Sequence, residues 1–153
     1  MDGPRTLPPY TVDREKVREF AAAVGERAAV CHDEAAARAL GHPGLVAPPT
    51  FLTVPAARAE DEQLRHSGFA TDGLIHREQH IRLHRPVHAG DVLHPTVRLT
   101  EARPLAGRRA LTVTTEVRGG DDRPVGVLVS TLLLSADAPG TTAHPTTAKE
   151  KPA

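Results

Sequence analysis

Residues 108–118 read Arg-Arg-Ala-Leu-Thr-Val-Thr-Thr-Glu-Val-Arg, and their alternation decides the fold class. Leu111, Val113, Thr115 and Val117 share one face and Thr112, Thr114 and Glu116 the other, because successive side chains of a strand point to opposite sides. One apolar and one solvated face is the pattern of an antiparallel sheet. Working outward, Gly- and Pro-bearing breaks at 86–90, 104–107 and 119–124 cut the chain from Leu74 into four strands, 74–85, 92–103, 108–118 and 125–134. The last is apolar on both faces and should lie centrally.

The period is different upstream. A short β-prone run, Tyr10-Thr11-Val12, precedes Asp13, a helix N-cap with Glu15 in the first turn, where the helix dipole favours an anion. Val17, Phe20, Ala21 and Val24 then recur at helical spacing and Gly25 supplies a stop. Asp33 caps a second helix through Leu40, ended by Gly41 and Pro43-Gly44. Pro48-Pro49-Thr50 opens a third helix to about Arg65, in which Pro55 implies a kink or a later start. A strand, a helical region and an antiparallel meander make an α+β domain. Residues 1–9 are expected to be a flexible N-terminus, residues 10–135 the domain, and residues 136–153, mostly Ala, Thr, Pro and Lys, a disordered tail with little to bury.

Composition narrows the function. The 153 residues are one domain's worth of chain, with core enough to dispense with staples. A single cysteine, Cys31, excludes an internal disulfide and the common cysteine-rich zinc sites. Nineteen basic residues balance nineteen acidic ones, and there is no Trp, one Tyr and three Phe, so neither a phosphate-attracting field nor base stacking is supported. No apolar run reaches the roughly 18 residues of a membrane span, and Met1-Asp2-Gly3-Pro4 lacks a secretory pattern. A cytoplasmic protein that binds neither nucleic acid nor membrane is expected.

His76, His80, His84 and His88 recur at every fourth position, which on a helix would make a metal-binding stripe. The segment reads as a strand, where four residues span roughly 13 Å, so no metal site is expected. Cys31 beside His32 suggests a nucleophile and base, but adjacent side chains point apart, which favours a buried structural cysteine. Phosphate-cradling glycine loops, nucleophile elbows and dinucleotide fingerprints are absent, and no cofactor is expected.

Residues 24–33, Val-Gly-Glu-Arg-Ala-Ala-Val-Cys-His-Asp, and residues 44–51, Gly-Leu-Val-Ala-Pro-Pro-Thr-Phe, together resemble the signature of the MaoC-like hot-dog hydratases and dehydratases. Residues 84–93, His-Arg-Pro-Val-His-Ala-Gly-Asp-Val-Leu, resemble the same family's turn between strands. The likeness covers about Tyr10 to Leu134. It is closest to the MaoC-like N-terminal dehydratase group, similar to the dehydratase region of type I fatty acid synthases and to accessory subunits of actinobacterial two-subunit (3R)-hydroxyacyl-ACP dehydratases.

The resemblance implies a single hot-dog fold, a long helix wrapped by a curved sheet of about five strands. Catalytic members carry an Asp/His dyad, which falls here at Glu26 and Cys31. They also have a glycine at the start of the hot-dog helix, where backbone N–H groups polarise the thioester carbonyl; Pro49 stands there and has no N–H. A thiol, with a reference pKa of about 8.5, is a poor substitute for imidazole as a proton shuttle near neutral pH. The resemblance therefore implies a catalytically incomplete subunit that shapes the acyl channel, with Pro49, Thr50, Phe51 and Val54 against substrate. The strand from Ile75 to Arg85, bearing His76, Glu78, His80, Arg82 and His84, would pair with a catalytic MaoC-like hot-dog partner. The substrate would be an acyl-ACP or acyl-CoA in fatty acid or polyketide processing. The alternatives are a self-sufficient hydratase or thioesterase relying on Glu26, and an acyl-thioester binding module.

Overall fold

The computed structural model of the chain describes residues 3–135. Two short strands, β1 (Arg5–Thr6) and β2 (Tyr10–Thr11), lead into helix α1 (Arg14–Ala23). Asp13 caps α1, its Oδ1 accepting from the Glu15 N–H at 2.7 Å. A 3-10 turn (Ala29–Cys31) and helix α2 (Glu34–Ala39) follow, with Asp33 capping α2 through the Ala35 N–H at 2.8 Å. The long helical segment begins as a 3-10 turn (Pro49–Leu52) and continues as α3 (Thr53–His66). The later start places Pro55 in the first turn of α3, where its missing N–H removes no intrahelical bond.

The meander is β3 (Ile75–Leu83), β4 (Val92–Leu105), β5 (Arg108–Gly119) and β6 (Pro124–Ser135). The sheet order is β1-β4-β5-β6-β3, all antiparallel, with β2 also on β4. Strand β6 is interior, as its two apolar faces require, while β3 is the edge at the far end from β1. Ala106 and Gly107, at φ of 47° and 72°, close the β4–β5 hairpin in the doubly left-handed turn whose twist matches its strands. This is the hot-dog arrangement, with six strands because the N-terminus contributes two short ones.

Residues 5–7, within the segment expected to be flexible, are held on the sheet. Arg5 and Thr6 pair with Val97 and Thr96, the Leu7 N–H donates to the Pro95 carbonyl at 3.0 Å, and Leu7 is buried in the core. A two-residue strand has no readable period, but an apolar seat and a row of backbone bonds on β4 hold it. The tail expected over residues 136–153 lies outside the described residues.

The core has two parts. One gathers Val12, Val17, Leu45, Phe51, Leu52 and Leu128 around the start of α3, with Phe20 edge-on to Phe51 at 5.4 Å between ring centroids. The other lies under the second half of α3 and includes Leu7, Ala59, Leu64, Phe69, Val97 and Leu132. Gly126 lets β6 pass close beneath the start of α3, since a Cβ there would lie 2.7 Å from Leu52 Cδ1 and 2.9 Å from the Arg82 carbonyl oxygen.

The turn before β4 is fastened by charge. Arg85 Nη1 donates to Asp91 Oδ2 at 2.6 Å and Nη2 to Oδ1 at 3.3 Å, while the His88 N–H donates to Asp91 Oδ2 at 2.9 Å. Charge-assisted two-pronged bonds are stronger than neutral ones, and this pair is partly shielded from water. Asp91→Ala leaves the His88 N–H without this acceptor and Arg85 with the Pro86 carbonyl in place of a carboxylate, and is expected to lower stability by about 2 kcal/mol, measured by urea denaturation.

Candidate functional site

Two loops and the strand beside them enclose a cleft of about 480 Å³. Glu26, Ala28 and Cys31 line it from the loop after α1, Pro48 and Pro49 from the start of the long helix, and Leu83 to Pro86 from the end of β3. The loops are stitched in place by backbone bonds from Val46 N–H to the Val30 carbonyl at 2.9 Å and from Ala47 N–H to the Val87 carbonyl at 2.8 Å. Glu26 and Cys31, five residues apart, thus converge on one cavity together with Pro49.

The chemistry available there is limited. Glu26 Oε1 accepts from the Ala28 N–H at 2.8 Å, which closes a local turn. Cys31 is buried, and burial first, then the nearby charge of Glu26, pushes its thiol above the usual cysteine range. A thiol held in its protonated form by burial is a poor base and a poor nucleophile near neutral pH. His32 does not take its place, because its Nε2–H donates to the Glu26 carbonyl at 2.8 Å. At Pro49 the turn has no N–H to offer.

Of the residues expected against substrate, Pro49 is exposed and lines the cleft. Thr50 is exposed but outside the lining. Val54 is half-buried against the core, and Phe51 is fully buried between Tyr10 and Phe20. Phe51 packs inward in this chain because the 3-10 turn sends consecutive side chains in different directions.

His76, Glu78, His80, Arg82 and His84 are all exposed, on β3 or one residue past its end. The outer edge of β3 has no partner strand among the described residues. His80 Nε2 meets Glu78 Oε1 at 3.0 Å. His88 instead lies on the β4 turn, 3.1 Å from His42 Nδ1 through its Nε2, and burial lowers its pKa. Among the described residues no cluster of three or more His, Cys, Asp or Glu is placed to hold a metal.

A second cleft, of about 520 Å³, lies between α3, β3 and β6 and contains a cluster that the sequence reading missed. Glu60, on the inner face of α3 and 6% exposed, accepts from the Ser130 hydroxyl at 2.6 Å, and Ser130 accepts from Gln79 Nε2 at 3.2 Å. Its signal was a carboxylate at helical spacing between Ala56 and Leu64, on an otherwise apolar stripe. Burial raises the Glu60 pKa, opposed by the Ser130 bond. A carboxyl whose folded pKa exceeds its unfolded value of about 4.5 stabilises the fold at low pH and loses that contribution as pH rises. Glu60→Gln should therefore gain stability over the parent between pH 5 and 8, with the gain fading near pH 4.5, in thermal melts across that range.

A family model for the FAS1-like dehydratase domain region matches residues 6–127. The chain belongs to this family. It is 36% identical over 133 residues to a UPF0336 protein of Saccharopolyspora erythraea, an alignment covering 86% of this chain and 85% of that one. Its fold is similar to a chain of the HadBC (3R-hydroxyacyl-ACP dehydratase) complex from Mycobacterium tuberculosis, with a TM-score of 0.77, 30% identity, and 86% and 94% of the two chains covered. A MaoC-like dehydratase matches with a TM-score of 0.76 and 38% identity over 88% of this chain, which spans 42% of that longer one. Membership sets the chain among hot-dog dehydratase regions, and no helix of the described residues is long and apolar enough to cross a membrane.

Proposed function

We propose that the chain is the catalytically incomplete subunit of a heterodimeric (R)-specific 3-hydroxyacyl-thioester dehydratase or hydratase, cytoplasmic and acting in fatty acid or polyketide chain processing. The observation that carries this reading is Cys31: a buried thiol, its pKa raised by burial, lines the cleft at the position to which the family resemblance assigns the histidine of the dyad. Dehydration removes a proton from the carbon next to the thioester carbonyl, while the β-hydroxyl takes up a proton and leaves as water. Both transfers need a group that exchanges protons near neutral pH, and neither Cys31 nor the engaged His32 supplies one. The partner, a MaoC-like hot-dog subunit, brings the Asp/His dyad, and this chain supplies fold and channel walls for an acyl-ACP or acyl-CoA.

The open edge of β3 favours pairing, since an unpaired edge strand is a hazard that a partner strand removes. Co-expression with catalytic MaoC-like subunits, and purification through a tag on one chain, tests the reading. A stable pair is expected, and His80→Glu with Arg82→Glu on β3 should abolish it while leaving this chain folded. A chain that pairs with none of them, or pairs equally well after both substitutions, contradicts it. A second reading, a self-sufficient hydratase or thioesterase, is favoured only by Glu26 lining the cleft and requires that Glu26→Gln abolish turnover by this chain alone.

A further inference from the structure

The cleft between α3, β3 and β6 combines two properties that packing alone does not call for. Its walls include the apolar side chains of Ala57, Leu64, Leu74 and Leu132, which suit a hydrocarbon chain. Set among them is Glu60, a carboxyl removed from bulk water that takes one side-chain hydrogen bond among the described residues, from the Ser130 hydroxyl to Oε1. Burying a carboxyl without full hydrogen bonding is costly, and hydrophobic residues of similar size would fill the same stripe without that cost.

We propose that this cleft is the distal part of the acyl site and takes a chain bearing an oxygen substituent, a hydroxyl or a keto group, with Glu60 as the residue that recognises it. The inference rests on the reading of the protein as an acyl-thioester subunit and adds the class of chain. The relay fixes the geometry: Gln79 Nε2 donates to Ser130 Oγ, and Ser130 donates to Glu60 Oε1, which leaves Oε2 as the atom for a ligand. A protonated Oε2 donates to either a hydroxyl or a carbonyl oxygen, and an ionised one accepts from a hydroxyl. Burial favours the protonated form. Gln79 belongs to β3, so the relay also joins the recognising carboxyl to the strand proposed to meet the partner. A plain alkyl chain in the same place would strip water from Glu60 and return no hydrogen bond, and the cleft discriminates by that loss.

The test is direct binding to the full-length chain by calorimetry, with decanoyl-pantetheine and its 6-, 8- and 10-hydroxy derivatives as probes. At least one hydroxylated probe should bind about tenfold more tightly than decanoyl-pantetheine, as one hydrogen bond to a buried carboxyl implies. Glu60→Leu should erase that preference and leave decanoyl binding as tight or tighter, and Glu60→Gln should retain part of it. Ala57→Trp adds bulk from an exposed position, leaves the Glu60–Ser130 bond intact, and should weaken every probe by more than tenfold. Equal binding of all four probes, no binding at all, a preference that survives Glu60→Leu, or affinities untouched by Ala57→Trp each overturns the proposal. Because neither partner nor turnover enters the measurement, it is decided separately from the subunit reading.

Discussion

In a two-chain dehydratase containing this subunit, Cys31→Ala and Glu26→Gln are expected to change kcat by less than about twofold, whereas replacing the partner's dyad histidine lowers kcat by roughly 10²–10⁴-fold, the usual contribution of a general acid or base. The contrast follows from proton affinities and geometry. Cys31 is buried and held in its thiol form, so removing its sulfur takes away no base that was present at neutral pH. Glu26 spends one oxygen on the Ala28 N–H, and a glutamine side-chain oxygen accepts that bond equally well. Steady-state hydration of a crotonyl thioester by the reconstituted pair measures all three variants. A tenfold loss on substituting either residue of this chain would return the cleft to the catalytic machinery.

Phe51→Ala is expected to lower stability by about 3–5 kcal/mol, as truncation of a fully buried aromatic does when the site cannot collapse. Phe51 is 0% exposed, meets Phe20 edge-on and Tyr10 at a tilt, and sits among Val17, Leu45 and Leu52. Its ring therefore joins α1, the loop before the long helix and the N-terminal strand, three elements that cannot all move in to fill the void. The thermal midpoint should fall by roughly 10 °C or more. Thr50→Ala, at the exposed neighbouring position, should stay within about 0.5 kcal/mol of the parent. Similar losses at the two positions would mean that Phe51 does not hold the core as described.

Much of the fold was legible because its signals are local. The alternation of residues 111–117 is reproduced in the burial of β5, Asp13 and Asp33 cap the helices that their positions announce, and Pro55 lies in the first turn of α3 because the α-helix starts late. Leu7 was missed because one apolar residue after a two-residue strand carries no period, and only β4, some ninety residues away, gives it a place. The site divides along the same line. Glu26 and Cys31 were identified through the family signature, and their convergence with Pro49 depends on loops held by Val46 and Ala47. The inward packing of Phe51 was not legible, because sequence position fixes the turn it belongs to but not the direction of its ring. The Glu60–Ser130 bond joins residues seventy apart in the chain, so sequence could show an odd carboxylate on an apolar stripe but not its partner.

The account's central claim is that this chain contributes fold and acyl channel while the proton chemistry comes from a partner. Hydration of a crotonyl thioester, assayed with the purified chain alone, with a catalytic MaoC-like subunit alone and with the two together, tests it most directly. The account predicts no turnover above background from this chain, and activity in the pair that disappears when the partner's Asp/His dyad is removed. Full activity from this chain by itself would contradict it and would place the reaction on Glu26, Cys31 or His32.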